Sequence, residues 1–201
     1  MSERFAIAID GPAASGKSTL ARELAKRLGL VMVNSGAMYR AVTWKALQEN
    51  IDPHDTEAVA ALTESLDIRC GNDGIMSTIT INGTDPGDAL RSEAVNANVS
   101  TIAAIPEVRR KLITLQRGYL ARTSIVMEGR DIGSNVFPDT DFKFYLDASL
   151  EERTKRRTAE GVRENLAARD QPVTPLEREQ RQQDALDVRP RERGGPDPEH
   201  A

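Results

Sequence analysis

The chain has 201 residues, 39% hydrophobic and 29% charged, and a formal net charge of -4. This suits one soluble globular domain with room for a small insert, and with few aromatics it argues against nucleic acid or an anionic membrane as partner. The single cysteine, Cys70, excludes an internal disulfide or a cysteine metal cluster, and two histidines far from any ligand-like group argue against zinc. No stretch reads as a membrane span or a secretory signal, so a monomer in a reducing cytoplasm is expected. Cys70 itself reads as a small buried apolar group or a bystander.

From the N-terminus, Phe5, Ile7 and Ile9 alternate with Ala6 and Ala8, which predicts a strand buried on both faces of a parallel sheet. The glycine-bounded turn Gly11-Pro12-Ala13-Ala14-Ser15-Gly16 follows. Leu20, Leu24 and Leu28 then recur every four residues beside Ala21 and Ala25, predicting an amphipathic helix that stops at Gly29. Leu30 to Val33 reads as a second buried strand, so the first thirty-odd residues make one right-handed βαβ unit. Residues 67–81, interrupted by Asn72-Asp73-Gly74, predict a small antiparallel meander. A helical stretch runs from about Ser92 to Ala121, punctuated by Pro106. The parallel pattern returns in Ile125–Met127 and Phe142–Leu146, each ending in acidic or glycine-rich residues. Ser149 and Glu152 form a capping box, predicting a helix to about Glu160. Beyond 160 the chain is polar and arginine-rich, and residues 189–201 read as disordered.

Gly11-x-x-x-x-Gly16-Lys17-Ser18 matches the phosphate-loop pattern in the context it requires, after a strand and opening a helix. Its backbone N–H groups and the helix dipole favour a polyphosphate held along Gly11 to Thr19. Lys17 is placed to reach the β- and γ-phosphates, and the Ser18 hydroxyl to ligate magnesium. Neither Asp-x-x-Gly after a strand nor Asn-Lys-x-Asp occurs, which argues against a GTPase. No long apolar strand ending in paired acids is visible, which argues against a mechanical ATPase. The short length favours a small-molecule kinase. On the acceptor side, Ser35, Tyr39 and Arg40 follow the second strand. Arg130 and Asp131 follow the third, in Gly-Arg-Asp-x-Gly, where an arginine can grip a phosphate with two parallel hydrogen bonds. Ser100 and Arg109 lie on the helical stretch.

These segments together resemble bacterial cytidylate kinase, a nucleoside monophosphate kinase. Gly11–Thr19, Asn34-Ser-Gly-Ala-Met-Tyr-Arg40, Ile105-Pro-Glu-Val-Arg109, Glu128-Gly-Arg-Asp-Ile-Gly133 with Val136-Phe-Pro-Asp139, and Phe144-Tyr-Leu-Asp-Ala-Ser149 stand in family order and spacing over residues 5 to about 160. The resemblance implies a three-layer α/β/α phosphate-loop fold with a parallel core sheet, a monophosphate-binding insert and an arginine-rich lid. It implies transfer of the γ-phosphoryl of ATP to CMP or dCMP with Mg2+. By position, Ser35, Tyr39, Arg40, Ser100, Arg109, Arg130 and Asp131 would line the CMP pocket. Lys17, Arg130 and Asp131 would serve the transfer. The core would comprise 1–50 and 106–150, with 184–188 as the one candidate for a closing strand; the insert would be about 51–105 and the lid about 151–183. Two other readings stand beside this one: a kinase of UMP or a coenzyme precursor, and a degenerate nucleotide-binding protein.

Two departures are visible. Asn34 stands where the family has aspartate, a change expected to be tolerated. In the lid, Arg153, Arg156, Arg157 and Arg169 fit, but Val173 and Leu176 fall where a second aspartate and arginine belong. Pairing Asp184 with Asp187 instead leaves Gln183 and Pro190 in the arginine positions. Missing arginines remove charge-assisted hydrogen bonds of about 1.5–3 kcal/mol each, and a lid that closes poorly admits water.

Overall fold

The structure, a computed structural model, describes residues 4–156 and 158–159. The chain divides after Lys155 into two units. In the second, the described residues 156, 158 and 159 are helical. The first is built on a six-stranded sheet whose strands lie in the order 68–73, 76–81, 31–34, 125–129, 6–10 and 142–145.

Strand β1 (Ala6–Asp10) lies between β5 (Ile125–Gly129) and β6 (Phe142–Tyr145), parallel to both. Strand β2 (Val31–Asn34) pairs parallel with β5. The alternation read in β1 is realised in two cores. Ala6 and Ala8 join Val33, Ile125 and Met127 on one face, while Ile7 and Ile9 join Met32 and Val126 on the other. Period-two side chains covered on both sides are what a central parallel strand requires.

Helix α1 (Lys17–Leu28) covers the second face, but not with the predicted stripe. Ala21 and Ala25 are its fully buried residues, Leu24 is partly buried, and Leu20 and Leu28 are 38% and 52% exposed. Alanine lets the helix backbone approach the sheet closely, so the leucines flank the contact instead of filling it. Helix α5 (Pro106–Gly118) and the single π-turn Ile132–Val136 lie against the first face. This gives the expected three-layer α/β/α fold. Pro106 opens α5 as its first residue, where a missing N–H costs nothing.

The predicted meander is a hairpin of β3 (Ile68–Asp73) and β4 (Met76–Ile81). It is not detached from the sheet. β4 runs parallel to β2 at one register pair, Met32 with Met76, and the Met32 N–H donates to the Ile75 carbonyl at 2.7 Å. Above it pack α2 (Ser35–Gln48), α3 (Thr56–Ser65), α4 (Glu93–Ala103) and α5, around Val42, Val59, Ile81, Ile102 and Leu112. Burial pushes the Cys70 thiol up, with the Tyr119 hydroxyl opposing the shift, and the residue is partly buried. At the outer edge β6 is exposed along its length, with Tyr145 at 71%. The Glu152 N–H donates to Ser149 Oγ at 3.3 Å, realising half of the predicted capping box. No helix among the described residues is long and apolar enough to cross a membrane.

One lysine ties this helical layer together. Lys111 Nζ on α5 donates to the carbonyls of Thr63, Glu64 and Leu66 at 2.6, 2.9 and 3.0 Å, capping the C-terminus of α3. A cation there satisfies orphan carbonyls and complements the dipole. Lys111→Met is expected to destabilise the fold by about 2 kcal/mol, lowering Tm by about 5 °C. Calorimetric melting checks this, and an unchanged Tm would refute it.

Candidate active site

Asp10 and Asn34 end β1 and β2 level with the last two residues of β5, because Asp10 is in register with Gly129 and Asn34 with Glu128. This is the carboxyl edge of the sheet, where loops of open α/β folds build their sites. The phosphate loop leaves here. Gly11, at φ 149°, packs so closely on the Leu146 carbonyl that a Cβ would collide with it. Gly16 turns into α1 at φ 102°, and Ala14 is held left-handed at φ 61°. Such turns point successive N–H groups inward to make an anion-binding concavity.

Lys17 is buried, and its Nζ donates across the loop to the Pro12 carbonyl at 2.6 Å. Burial is the main cause lowering its pKa. Glu128 opposes that shift, Arg130 reinforces it, and Asp10 opposes it. These partners come from two segments, the end of β1 and the stretch Glu128-Gly129-Arg130. Ser18 Oγ donates to Glu128 Oε1 at 2.6 Å, and Glu128 is itself buried.

The second strand's residues meet the same edge. Asn34 caps α2, its side chain accepting the Ala37 N–H at 3.0 Å. A neutral amide fills this role as well as a carboxylate does, which accounts locally for the departure at this position. Ser35 is buried and donates to the Glu128 carbonyl at 2.7 Å. Tyr39, one turn on, is buried beside Gln116, and burial raises its hydroxyl pKa despite the opposing charge of Arg109. Arg40 Nε donates to Asn96 Oδ1 on α4 at 3.5 Å. Ser100, exposed, stands one turn beyond Asn96 on the same face of α4.

Arg109 of α5 forms an ion pair with Asp131, whose Oδ2 also accepts from Asn135 Nδ2 at 2.9 Å. Arg130 is exposed, and its charge acts on Lys17. The structure therefore brings Lys17, Ser18, Ser35, Arg130, Asp131 and Arg109 to one edge, with Tyr39 and Arg40 on the adjoining helix. Of the arginines that the sequence suggests for a lid, Arg153 lies in the first unit, with Nε donating to the Ala148 carbonyl at 3.1 Å. Arg156 is exposed in the second unit. Arg157, Arg169, residues 184–188 and the tail lie outside the described residues.

Sequence reasoning missed two carboxylates. Glu128 is a single acid closing the apolar run Ile-Val-Met of β5, and a search for a long run with paired acids passes over it. Asp10, directly before Gly11, reads as an ordinary strand end. Only its contacts reveal it.

Comparison with known proteins agrees with this geometry. The family model for cytidylate kinase matches residues 7–194. The chain is 40% identical over 168 residues to a cytidylate kinase of Oceanobacillus iheyensis, covering 83% of this chain and 72% of the relative. It is 44% identical over 162 residues to a cytidylate kinase of Geobacillus thermodenitrificans, covering 81% and 72%. A bifunctional pantoate ligase/cytidylate kinase of Gloeobacter violaceus is 44% identical over 174 residues, covering 85% of this chain but 33% of that longer protein. The chain thus spans a third of the length of that bifunctional relative. A match of this extent, with the phosphate loop and the Gly-Arg-Asp segment meeting at one sheet edge, makes this chain a member of the cytidylate kinase family.

Proposed function

We propose that the chain transfers the γ-phosphoryl of ATP to CMP or dCMP, giving ADP and the diphosphate. The observation that supports this best is the meeting of Lys17 with Arg130 and the Arg109–Asp131 pair at the carboxyl edge of one sheet. The acceptor phosphate is already an anion, so the reaction needs alignment and charge neutralisation more than a strong base. In this reading the phosphate loop holds ATP and Lys17 neutralises its β- and γ-phosphates. Arg130 holds the acceptor phosphate, while Ser35, Tyr39, Arg40, Ser100, Arg109 and Asp131 line the acceptor pocket. Residues of about 51–105 act as the acceptor-binding insert, and those of about 151–183 as a lid.

Magnesium fits the residues present. Ser18 and Glu128 place a hydroxyl and a carboxylate oxygen 2.6 Å apart, a hard-oxygen pair of the kind this ion takes along with substrate phosphates. Bound there with ATP, it would neutralise charge on the triphosphate.

A coupled assay of ADP release tests the reading, using the full chain, ATP with Mg2+, and CMP, dCMP and UMP in turn. Release that depends on CMP or dCMP is expected. Preference for UMP would reassign the acceptor. ATP binding with no monophosphate-dependent release would reduce the chain to a nucleotide-binding protein.

A further inference from the structure

Asp10 stands where three segments meet, and the reading above gives it no substrate to hold. Its Oδ1 accepts the Ile132 N–H at 2.7 Å, and its Oδ2 accepts the Gly133 N–H at 2.8 Å. These are the two residues directly after Arg130-Asp131, at the start of the π-turn Ile132–Val136. The Asp10 backbone carbonyl accepts the Leu146 N–H at 2.8 Å, and the next residue, Gly11, begins the phosphate loop. The carboxylate is closely seated. A Cβ on Gly133 would stand 3.3 Å from Asp10 Oδ2 and 3.2 Å from Lys143 Cγ.

A fixed anion beside a polyphosphate site repels the ligand, while the same charge favours the protonated form of Lys17, so its two effects on ATP binding oppose each other. Its two charge-assisted bonds go instead to the backbone that carries Arg130 and Asp131. Hydrogen bonds of this kind are about twice as strong as neutral ones. Both oxygens are engaged at once, so the segment is fixed in rotation as well as in distance. The other end of the same residue is covalently the root of the phosphate loop.

We propose that Asp10 is a positioning residue that locks the Arg130–Asp131 segment to the root of the phosphate loop, setting the acceptor site in one frame with the donor site. This rests on the reading of Arg130 and Asp131 as acceptor-binding residues. Asp10→Asn keeps the size but loses the charge and turns one acceptor into a donor facing an N–H. Gly133→Ala leaves Asp10 in place and crowds its carboxylate from the other side.

The experiment uses the full chain and both variants. It measures CMP and ATP dissociation constants by calorimetry and hydrogen exchange at the Ile132 and Gly133 amides. In Asp10→Asn, both amides are expected to exchange faster, and CMP binding to weaken about ten- to a hundredfold. ATP binding should stay within about threefold of the unmodified chain, because the lost anion both repelled the triphosphate and supported the Lys17 proton. Gly133→Ala should shift CMP binding in the same direction by less, and it carries the test should Asp10→Asn not fold. Two outcomes overturn the proposal: CMP affinity within about threefold of the unmodified chain in the variants that fold, or ATP affinity falling in step with CMP. Failure of the unmodified chain to bind any monophosphate sinks the acceptor reading and the proposal with it, and that control tells the two failures apart.

Discussion

Replacing Lys17 by alanine is expected to lower phosphoryl transfer by at least about a thousandfold, equivalent to about 4 kcal/mol of transition-state stabilisation. The side chain is buried under the phosphate loop with its Nζ on the Pro12 carbonyl, so it already points across the concavity where charge accumulates. Single-turnover rates at saturating ATP check the prediction; a loss below about tenfold would remove Lys17 from the transfer step. The same residue sets a pH dependence. Burial lowers its pKa, so in the free protein the proton is lost at a lower pH than from an ordinary lysine. The alkaline limb of kcat/KM for ATP, which reports the free protein, should therefore fall below the usual lysine range. The limb of kcat should lie higher, because the bound triphosphate restores the proton's stabilisation. Coincident limbs would show that another group controls them.

Replacing Arg130 by alanine is expected to cut kcat/KM for CMP by about a hundredfold or more, with ATP affinity changed by less than about threefold. A bidentate grip on phosphate supplies two charge-assisted bonds, each worth about 1.5–3 kcal/mol. Arg130 is also one of the charges that lower the Lys17 pKa, so its removal should move the alkaline limb upward. Arg130→Lys should recover the pH limb but not the acceptor affinity, because a point charge lacks the planar fork. Intact CMP kinetics in Arg130→Ala would end the acceptor assignment.

Much of the site was readable because its chemistry is local. The phosphate loop needs glycines at fixed spacing between a strand and a helix, and Gly11, Gly16 and Lys17 satisfy that rule within eight residues. The alternation in β1 likewise declared a doubly buried strand. The helix after it was misread in its packing. Periodicity located the apolar side of α1, but which of its residues touch the sheet depends on the distance between helix and strand. Ala21 and Ala25 make that contact while Leu20 and Leu28 remain open. The β3–β4 hairpin was legible as a hairpin. Its attachment to β2 rests on a single ladder position and a carbonyl of its turn, and no local pattern carries that information.

The amino-acid order by itself determined the phosphate-binding loop, the βαβ start, the capping and turn residues, and the family resemblance, because each depends on neighbours a few positions apart. The tertiary structure alone decided which distant groups share a site. Ser18 meets Glu128 across 110 positions, Arg109 meets Asp131 across 22, and Asp10 reaches Ile132 across 122. Parallel strands in register bring residues far apart in the chain to one edge, and hydrogen bonds there depend on ångström-scale placement that residue type and spacing do not encode.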